Sequence, residues 1–296
     1  MAARLSICIA THNRAQLLRR AVDSVLTQKV DGCEVIVVDD GSNDETPDVV
    51  QSVRRAAPEV VRYIRQSNLG RPHALNAALG VATGELITIL DDDDWFTCGS
   101  IEGIHETWRQ VAQRDFVGVV GRCATPDKAV IGTSAPESPW DGSYFDARLV
   151  CGVRGDRKEV VRRDLVGGFS FNPRPGERRV PTSLLWYSLS ARGQMRFVDD
   201  VWVVKDYQAN GMTDDNLRLR VRSAGTNVDY YGQLAEMFPR APLRTRVRIR
   251  SNQFRFALHA EEGRAIYREF GFAEALPACL IGSIAWMRDL HKLGRL

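Results

Sequence analysis

An apolar run of strand length, Glu85 to Leu90, ends abruptly in four consecutive carboxylates, Asp91 to Asp94. Unpaired charges inside a protein core cost a large free energy, so these acids must lie just past the carboxyl end of a buried strand. Four like charges held together repel one another unless a cation neutralises them, and carboxylate oxygens are ligands that Mg²⁺ and Mn²⁺ prefer. The run therefore predicts a divalent-cation site at a surface crevice, against the alternative of a solvated acidic turn.

Three earlier runs of strand length precede this one, and residues with helical periodicity lie between them. The runs are Leu5 to Ala10, Glu34 to Val38 and Val60 to Arg65. Strands that alternate with helices predict a parallel sheet with right-handed crossovers. Ligands of such sheets bind beyond the carboxyl ends of the strands, where this sequence places polar turns at Thr11 to Arg14 and Asp39 to Ser42. We therefore expect these turns to meet the four carboxylates at one edge of the sheet.

Composition limits the class of protein and of partner. A chain of 296 residues with 44% hydrophobic content can bury a full α/β core, and a net charge of +3 gives no argument for nucleic-acid binding. The six cysteines are scattered singly, without a CxxC pair, so neither a zinc site nor a disulfide framework is predicted. Such cysteine usage is typical of a reducing cytoplasm, and we predict a cytoplasmic location.

Two common nucleotide motifs are missing from the sequence. No GxGxxG follows the first predicted strand, and no GxxxxGK[ST] occurs in the chain. A dinucleotide fold of the usual kind and a P-loop are therefore disfavoured. A nucleotide bound at this sheet edge would have to be held by side chains of the polar turns.

Four segments in the first hundred or so residues carry a family resemblance. They read SICIATHNR from Ser6, VVDDGS from Val37, NLG from Asn68 with Ala82-Thr-Gly-Glu85 further on, and LDDDDW from Leu90. In order and spacing they resemble the inverting glycosyltransferases of family 2, typified by bacterial polysaccharide enzymes, although Ala10 replaces the proline that is usual in the first segment. The resemblance covers about residues 4–215.

The resemblance implies a GT-A fold, the α/β fold of nucleotide-diphospho-sugar transferases, with a mostly parallel Rossmann-like sheet and a C-terminal helical extension. It implies a catalytic domain over residues 1–215, with a nucleotide-sugar-binding half at 1–120 and an acceptor-binding half at 121–215. Residues 216–296 form the helical, basic extension in this interpretation.

The resemblance also implies the reaction and the residues. A sugar moves from a nucleotide-diphospho-sugar, most simply a UDP-sugar, to an acceptor hydroxyl with inversion and with the help of Mg²⁺ or Mn²⁺. Asp93 and Asp91 are the implied metal ligands, with Asp92 or Asp94 as further candidates. Nucleotide-sugar binding is assigned to residues of the polar turns: Thr11, Asn13, Arg14, Asp39, Asp40, Asn68, Arg71, Asp91 and Asp92. The acceptor is a saccharide, a lipid-linked molecule or a small molecule.

The general base is the least determined assignment. Many relatives carry an acidic pair shortly before a helix that resembles the segment from Leu185 onwards, but Pro181 and Thr182 occupy that position here. A carboxylate must accept the proton of the acceptor hydroxyl. We predict Glu177 for this role, with Asp156 second, against the alternative that Glu177 is a surface acid among arginines.

Other function classes stay open on the sequence alone. A sugar nucleotidyltransferase also uses a parallel sheet and metal-binding aspartates, but the turn at Thr11 to Arg14 lacks the glycines that such enzymes carry. A non-catalytic relative that binds a nucleotide-sugar or a glycan is consistent with the missing acidic pair. Activity with the donor in the presence of Mn²⁺ separates these classes.

A basic stretch near the C-terminus predicts a second kind of partner. Arg240 to Arg255 contains six arginines and no acid, and the apolar segment Ala275 to Met287 follows it. Together they predict peripheral contact with the anionic inner face of a membrane. The alternative is a solvated basic helix that packs on the catalytic domain.

Overall fold

The computed structural model describes residues 5–207 and 216–294. The chain forms two compact units. The first contains Met1–Phe171 and Leu189–Tyr207, and the second contains Asn172–Ser188 and Gln208–Leu296. The domain boundary expected at residues 215 and 216 stays a prediction, since the second unit also takes in a segment from the middle of the chain.

The first unit is built on a nine-stranded sheet. The strands are β1 (Leu5–Thr11), β2 (Cys33–Asp39), β3 (Val61–Arg65), β4 (Leu86–Ile89), β5 (Trp95–Phe96), β6 (Phe116–Ala124), β7 (Trp140–Gly142), β8 (Arg157–Arg162) and β9 (Gln194–Val204). Their order is β3-β2-β1-β4-β8-β6-β9-β5, and β7 pairs with β9. The pairs among β1 to β4 and the pair of β6 with β9 are parallel, whereas β8 is antiparallel to both of its neighbours.

Helices connect the strands and make up most of the second unit. They are α1 (Ala15–Leu26), α2 (Thr46–Ala56), α3 (Arg71–Val81), α4 (Ser100–Arg109), α5 (Ser183–Ser190), α6 (Asn216–Arg222), α7 (Ala224–Met237), α8 (Leu243–His259), α9 (Gly263–Tyr267) and α10 (Phe272–Lys292). Within the described ranges, none of the helices combines the length and the apolar character needed to cross a membrane. The predicted mostly parallel sheet and C-terminal helical region are confirmed.

Strand β8 lies in the middle of the sheet although four of the six residues in its sequence, RKEVVR, are charged. The buried Lys158 Nζ donates to the carbonyl of Ile89, and the buried Glu159 accepts a hydrogen bond of 2.9 Å from the Tyr144 hydroxyl. Because these partners satisfy the charged groups, the strand can be central. Periodicity alone does not predict it.

The antiparallel direction of β8 determines which residues reach the functional edge. Thr88 of β4 lies opposite Val160 of β8, and Leu86 lies opposite Arg162. The residue that precedes β8, Asp156, therefore lies at the same edge as the residues that follow β4. This places Asp156 on the side of the four consecutive carboxylates.

The pairing of β6 with β8 leaves no room for a side chain at Gly118. A Cβ atom built there would lie 2.2 Å from the carbonyl oxygen of Val160 and 2.9 Å from the Cα of Val161. We expect Gly118→Ala to lower the free energy of unfolding by about 3 kcal/mol, since two backbones must move apart. Denaturant unfolding measures this loss.

Gly80 provides the matched control. It lies in α3, and a Cβ atom there would meet nothing within 4 Å. Gly80→Ala should raise the free energy of unfolding by about 0.5–1 kcal/mol, because alanine loses less backbone entropy in a helix. Equal stability of Gly118→Ala and the wild type would show that the register between β6 and β8 is wrong.

The second unit has a core of its own. Seven buried apolar residues from α7 to α10 pack together: Ala224, Val228, Phe256, Ala257, Ile266, Phe270 and Ala278. Arg174, from the segment Asn172–Ser188, forms a bidentate ion pair with Asp229 of α7, with nitrogen–oxygen distances of 2.6 and 2.7 Å. The helices of the predicted extension therefore form a packed body.

Candidate functional site

The turn after β1 and the turn after β4 are joined by their side chains. The Thr11 hydroxyl donates to Asp92 Oδ2 at 2.8 Å. Arg14 Nη1 lies 3.0 Å from Asp92 Oδ1 and 2.9 Å from Asp93 Oδ2. The two strands run parallel and side by side, so their carboxyl ends bring these residues to one edge, as the sequence predicts.

Basic side chains surround the remaining acids of the run. Arg71, the first residue of α3, donates to Asp91. Lys205, directly after β9, places its Nζ 3.1 Å from Asp91 Oδ2 and 2.7 Å from Asp94 Oδ2. The repulsion expected among the four carboxylates is therefore offset by cations that the protein itself supplies. The side-chain exposures of Lys205 and Asp94 are only 18% and 2%, so solvent screens this ion pair little.

Burial and neighbouring charges shift the pKa values of these acids in different directions. Burial raises the pKa of Asp91, but the charges of Arg71, Lys205 and Lys158 outweigh burial and hold that pKa well below its usual range. Burial raises the pKa of Asp92 to about 6 against the opposing charge of Arg14, and it raises the pKa of Asp94. Asp91 is therefore the most firmly ionised of these three carboxylates at neutral pH.

Three of the four carboxylates fit a divalent cation. Asp91, Asp93 and Asp94 each offer an oxygen, and these oxygens all lie within 4.8 Å of one another. Carboxylate oxygens at this spacing suit Mg²⁺ or Mn²⁺. The residues present therefore fit such an ion, with Asp91 and Asp93 as the sequence predicts and Asp94 as the third group.

Asp40 shapes the segment that leads into α3. Its carboxylate accepts hydrogen bonds from Gln66 Nε2 at 2.7 Å, from the backbone N–H of Leu69 at 2.9 Å and from that of Gly70 at 2.7 Å. Gly70 immediately precedes the helix that begins at Arg71. Asp40 thus positions the arginine that contacts the acidic run.

Asp39 is fully buried and holds the turn after β2. Its Oδ1 accepts a 2.8 Å hydrogen bond from the backbone N–H of Ser42, and its Oδ2 accepts one of 2.8 Å from the Tyr63 hydroxyl. The Ser42 hydroxyl in turn accepts a 2.9 Å hydrogen bond from the backbone N–H of Asn13. The contacts of Ser42 with Asp39 and with Asn13 fix the turn after β1 against the turn after β2.

His12 links three predicted site residues although the sequence did not single it out. Its Nδ1 lies 2.9 Å from the carbonyl oxygen of Asp40, and its Nε2 lies 3.1 Å from the side-chain amides of Asn13 and Asn68. A neutral ring that donates through Nδ1 and accepts through Nε2 satisfies all three contacts. His12 lies within the predicted polar turn, and its position beside Asn13 was the available signal.

Two lysines were also missed as parts of the site. Lys158 is buried and Lys205 is half-buried beside Asp91, where their charges act on its pKa. The chain directly after Lys205 is described only as far as Tyr207, since residues 208–215 lie outside the described ranges. Neither lysine has a local sequence signal, because β8 is itself rich in charged residues and Lys205 lies 114 residues from Asp91.

Asp156 is exposed at the same edge as Asp91. Its Oδ2 accepts a 2.8 Å hydrogen bond from the Tyr207 hydroxyl, and Tyr207 lies just beyond Lys205. Burial lowers the pKa of Lys205, but the charges of Asp91, Asp94 and Asp156 outweigh burial and raise that pKa well above its usual value. A solvent-accessible carboxylate is thus held beside the acidic run.

Glu177 belongs to the second unit and has a clear local role. Its two carboxylate oxygens accept hydrogen bonds from the backbone N–H groups of Gly225 at 2.9 Å and Thr226 at 2.6 Å, in the first turn of α7. These are groups that a helix cannot satisfy internally, so Glu177 caps the helix. Arg174, one of the arginines near Glu177 in the sequence, pairs with Asp229 and Glu262.

The chain matches a known family over much of its first half. The family described as Glycosyl transferase family 2 matches residues 6–132, which confirms the resemblance drawn from the four segments. The chain is 34% identical over 176 residues to a GalNAc(5)-diNAcBac-PP-undecaprenol beta-1,3-glucosyltransferase of Campylobacter jejuni, over 57% of this chain and 55% of the relative. The chain spans about half of the length, or less, of the first curated relatives that it matches.

Solved structures share the fold at low sequence identity. Staphylococcus aureus TarS 1–349 in complex with UDP-GlcNAc has a TM-score of 0.62 and 13% identity, over 99% of this chain and 92% of that chain. The mannosyltransferase PcManGT from Pyrobaculum calidifontis, in complex with GDP-Man and Mn²⁺, has a TM-score of 0.59 and 20% identity, over 100% and 83%. These likenesses confirm the predicted GT-A fold.

Proposed function

We propose that this chain, which belongs to glycosyltransferase family 2, moves a sugar from a nucleotide-diphospho-sugar to an acceptor hydroxyl with inversion at the anomeric carbon. The observation that carries the proposal is the meeting of the turns after β1 and β4 at one sheet edge, through the contacts of Thr11 and Arg14 with Asp92. That edge offers both carboxylates for a cation and guanidinium groups for phosphates.

The choice of donor and acceptor is supported by the ligands and names of similar proteins. The TarS structure contains UDP-GlcNAc and the PcManGT structure contains GDP-Man with Mn²⁺. Both support a nucleotide-diphospho-sugar as the donor here, and we propose a UDP-sugar as the first candidate. The name of the Campylobacter relative describes transfer to a PP-undecaprenol-linked saccharide, which supports a saccharide or lipid-linked acceptor here.

In this proposal, different side chains bind different parts of the donor. Asp39 and Asp40 address the ribose and the base, and Asn13 and Asn68 fix the turns around them. Arg14 and Arg71 hold the diphosphate, for which their planar guanidinium groups are suited. On donor binding these arginines exchange contacts with the acidic run for contacts with phosphate.

A divalent ion, Mg²⁺ or Mn²⁺, held by Asp91, Asp93 and Asp94 would supply positive charge to the departing phosphate oxygens. Lys205 already places a positive charge against two of these carboxylates. It holds Asp91 and Asp94 together and limits their mutual repulsion before any donor enters. The same ammonium group is positioned to interact with phosphate oxygens.

The general base is proposed among the two carboxylates that the sequence ranked. Glu177 was placed first, but both of its oxygens cap α7, and withdrawing them would leave two backbone N–H groups without their partner. Asp156 is exposed beside the acidic run and is held by Tyr207. These contacts favour Asp156 as the group that accepts the proton of the acceptor hydroxyl.

A second candidate function is binding of a nucleotide-sugar without transfer. Pro181 and Thr182 stand where many relatives carry an acidic pair, and Glu177 has a capping role. A binding module needs the donor pocket but no base. The proposal of an enzyme therefore depends on Asp156 or Glu177.

The location is proposed together with the function. The six cysteines are free thiols, and their scattered positions support a cytoplasmic protein. Peripheral contact with the inner face of a membrane is part of the same proposal.

A thermal-shift screen of nucleotide-sugars, each with and without Mn²⁺, tests the donor assignment. Specific binding raises apparent stability by mass action, by about 2.7 kcal/mol when the ligand is present at 100 times its Kd. We expect a UDP-sugar with Mn²⁺ to raise the melting temperature most. Equal stabilisation by every nucleotide-sugar, or none by any of them, would contradict the proposed donor site.

A further inference from the structure

Helix α10 carries a continuous row of exposed apolar side chains. Phe272, Leu276, Leu280, Ile284 and Met287 recur three or four residues apart and therefore share one face of the helix. Their exposed fractions range from 39% for Ile284 to 101% for Phe272. We call this row the apolar stripe. At 1.5 Å per residue it is about 22 Å long.

The opposite face of α10 holds the helix in place. Ala278 is fully buried there, and a Cβ atom at Gly282 would lie 2.6 Å from the carbonyl oxygen of Ser251 in α8. Asp289 is also buried and forms a bidentate ion pair with Arg255 of α8. Because α10 is anchored by this face, the apolar stripe does not contribute to the core of the unit.

The charged residues of α10 are also divided between the face that packs on α8 and the exposed face. Its two acids, Glu274 and Asp289, pair with arginines of α8: Arg246 lies 3.0 Å from Glu274, and Arg255 pairs with Asp289. The exposed charged residues of α10 are Arg288 and Lys292, and both are basic. The solvent-facing side of the helix is therefore apolar along its length and positively charged near its C-terminal end.

We propose that the apolar stripe binds the surface of an anionic lipid membrane. A helix with an apolar face and basic residues beside it lies in the membrane interface, with the apolar side chains among the acyl chains and the cations at the anionic headgroups. A row of large apolar side chains left in water on one helix marks an interaction surface. The basic flank selects an anionic lipid surface as its partner.

The docking face is narrower than the one predicted from the sequence, which joined the basic stretch Arg240 to Arg255 with the apolar segment Ala275 to Met287. Three of the six arginines in that stretch, Arg246, Arg250 and Arg255, form ion pairs with the acids of α10. Those three attach α8 to α10 and contribute little free charge to a surface. The proposed contact is made by the side of α10 that faces away from α8.

Vesicle flotation of the full chain tests the proposal. The wild type should float with vesicles of phosphatidylcholine and phosphatidylglycerol, should bind pure phosphatidylcholine vesicles more weakly, and should release from the anionic vesicles as salt rises. Leu276→Gln/Leu280→Gln should weaken binding to anionic vesicles at least about tenfold, because two exposed leucines that would insert among the acyl chains are replaced by polar side chains that suit a helix.

A matched double variant controls for the loss of exposed apolar groups in general. Val130 and Val150 are also exposed, but they lie in the first unit and outside α10. Val130→Gln/Val150→Gln should bind anionic vesicles as the wild type does. Circular dichroism must show native helix content and melting for both double variants.

Three results would overturn the proposal. The first is that the folded Leu276→Gln/Leu280→Gln variant binds vesicles as well as the wild type does. The second is that the wild type floats with none of the vesicles. The third is that sedimentation equilibrium shows self-association of the wild type without vesicles, and that this self-association is lost in the Leu276→Gln/Leu280→Gln variant, because the stripe would then bind a second copy of the chain. Vesicle binding is measured without donor, so its failure leaves the proposed glycosyl transfer untouched.

Discussion

Replacing Asp156 with asparagine should lower turnover by a factor of about 10²–10⁴ and leave donor affinity nearly unchanged. Asparagine keeps the shape of the side chain and removes the proton acceptor. Because Asp156 is exposed and the amide oxygen of asparagine can still accept the hydrogen bond from the Tyr207 hydroxyl, the fold should persist. Steady-state release of the nucleoside diphosphate, with donor affinity from calorimetry, separates the catalytic effect from binding.

Glu177→Gln is the matched comparison for this prediction. If Glu177 caps α7 and does not act as the base, the variant should keep turnover within a few-fold of the wild type and lose about 1 kcal/mol of unfolding free energy. A large loss of turnover in Glu177→Gln together with normal turnover in Asp156→Asn would restore the ranking predicted from the sequence. Normal turnover in both variants would leave the transfer reaction without a base.

Replacing Asp93 with alanine should weaken Mn²⁺-dependent binding of UDP by about 100-fold or more. Even groups that only support metal ligands change affinity by about 10–100-fold when they are lost, and Asp93 offers one of the three carboxylate oxygens that lie within 4.8 Å of one another. Removing one of several neighbouring carboxylates also relieves repulsion, so the fold should persist. Calorimetric titration of UDP with and without Mn²⁺ measures the change.

Asp164→Ala is the control for the loss of an acidic side chain. Asp164 is exposed, pairs with Arg162 at 2.6 Å and lies just after the end of β8, at the sheet edge opposite the acidic run. This variant should bind UDP with Mn²⁺ as the wild type does. Unchanged affinity in Asp93→Ala would remove Asp93 from the metal site and leave Lys205 as the cation that acts on Asp91 and Asp94.

The sequence predicted the sheet edge because its signals are local. Each of β1, β2 and β4 is an apolar run followed at once by polar residues, and parallel strands bring such ends together whatever the exact register. The family match over residues 6–132 covers this same part of the chain. The contacts of Thr11 and Arg14 with Asp92 follow from that geometry.

Contacts between distant parts of the chain were beyond the reach of these patterns. Strand β8 is charged, and only its partners in space show why Lys158 and Glu159 can be buried. Lys205 reaches Asp91 across 114 residues, so no local spacing predicts that the protein neutralises its own acidic run. Glu177 was ranked by its place relative to a motif, whereas its partners lie 48 and 49 residues away in α7.

The most direct test of the central claim is release of the nucleoside diphosphate from the donor identified by thermal shift, with purified protein and Mn²⁺. Even without the natural acceptor, water can accept the sugar slowly, so the wild type should release nucleoside diphosphate. Asp156→Asn should release it at least about a hundredfold more slowly while binding the donor normally. Tight, Mn²⁺-dependent donor binding by the wild type, with no release in water or with any saccharide or lipid-linked acceptor, would contradict the account and identify a binding protein.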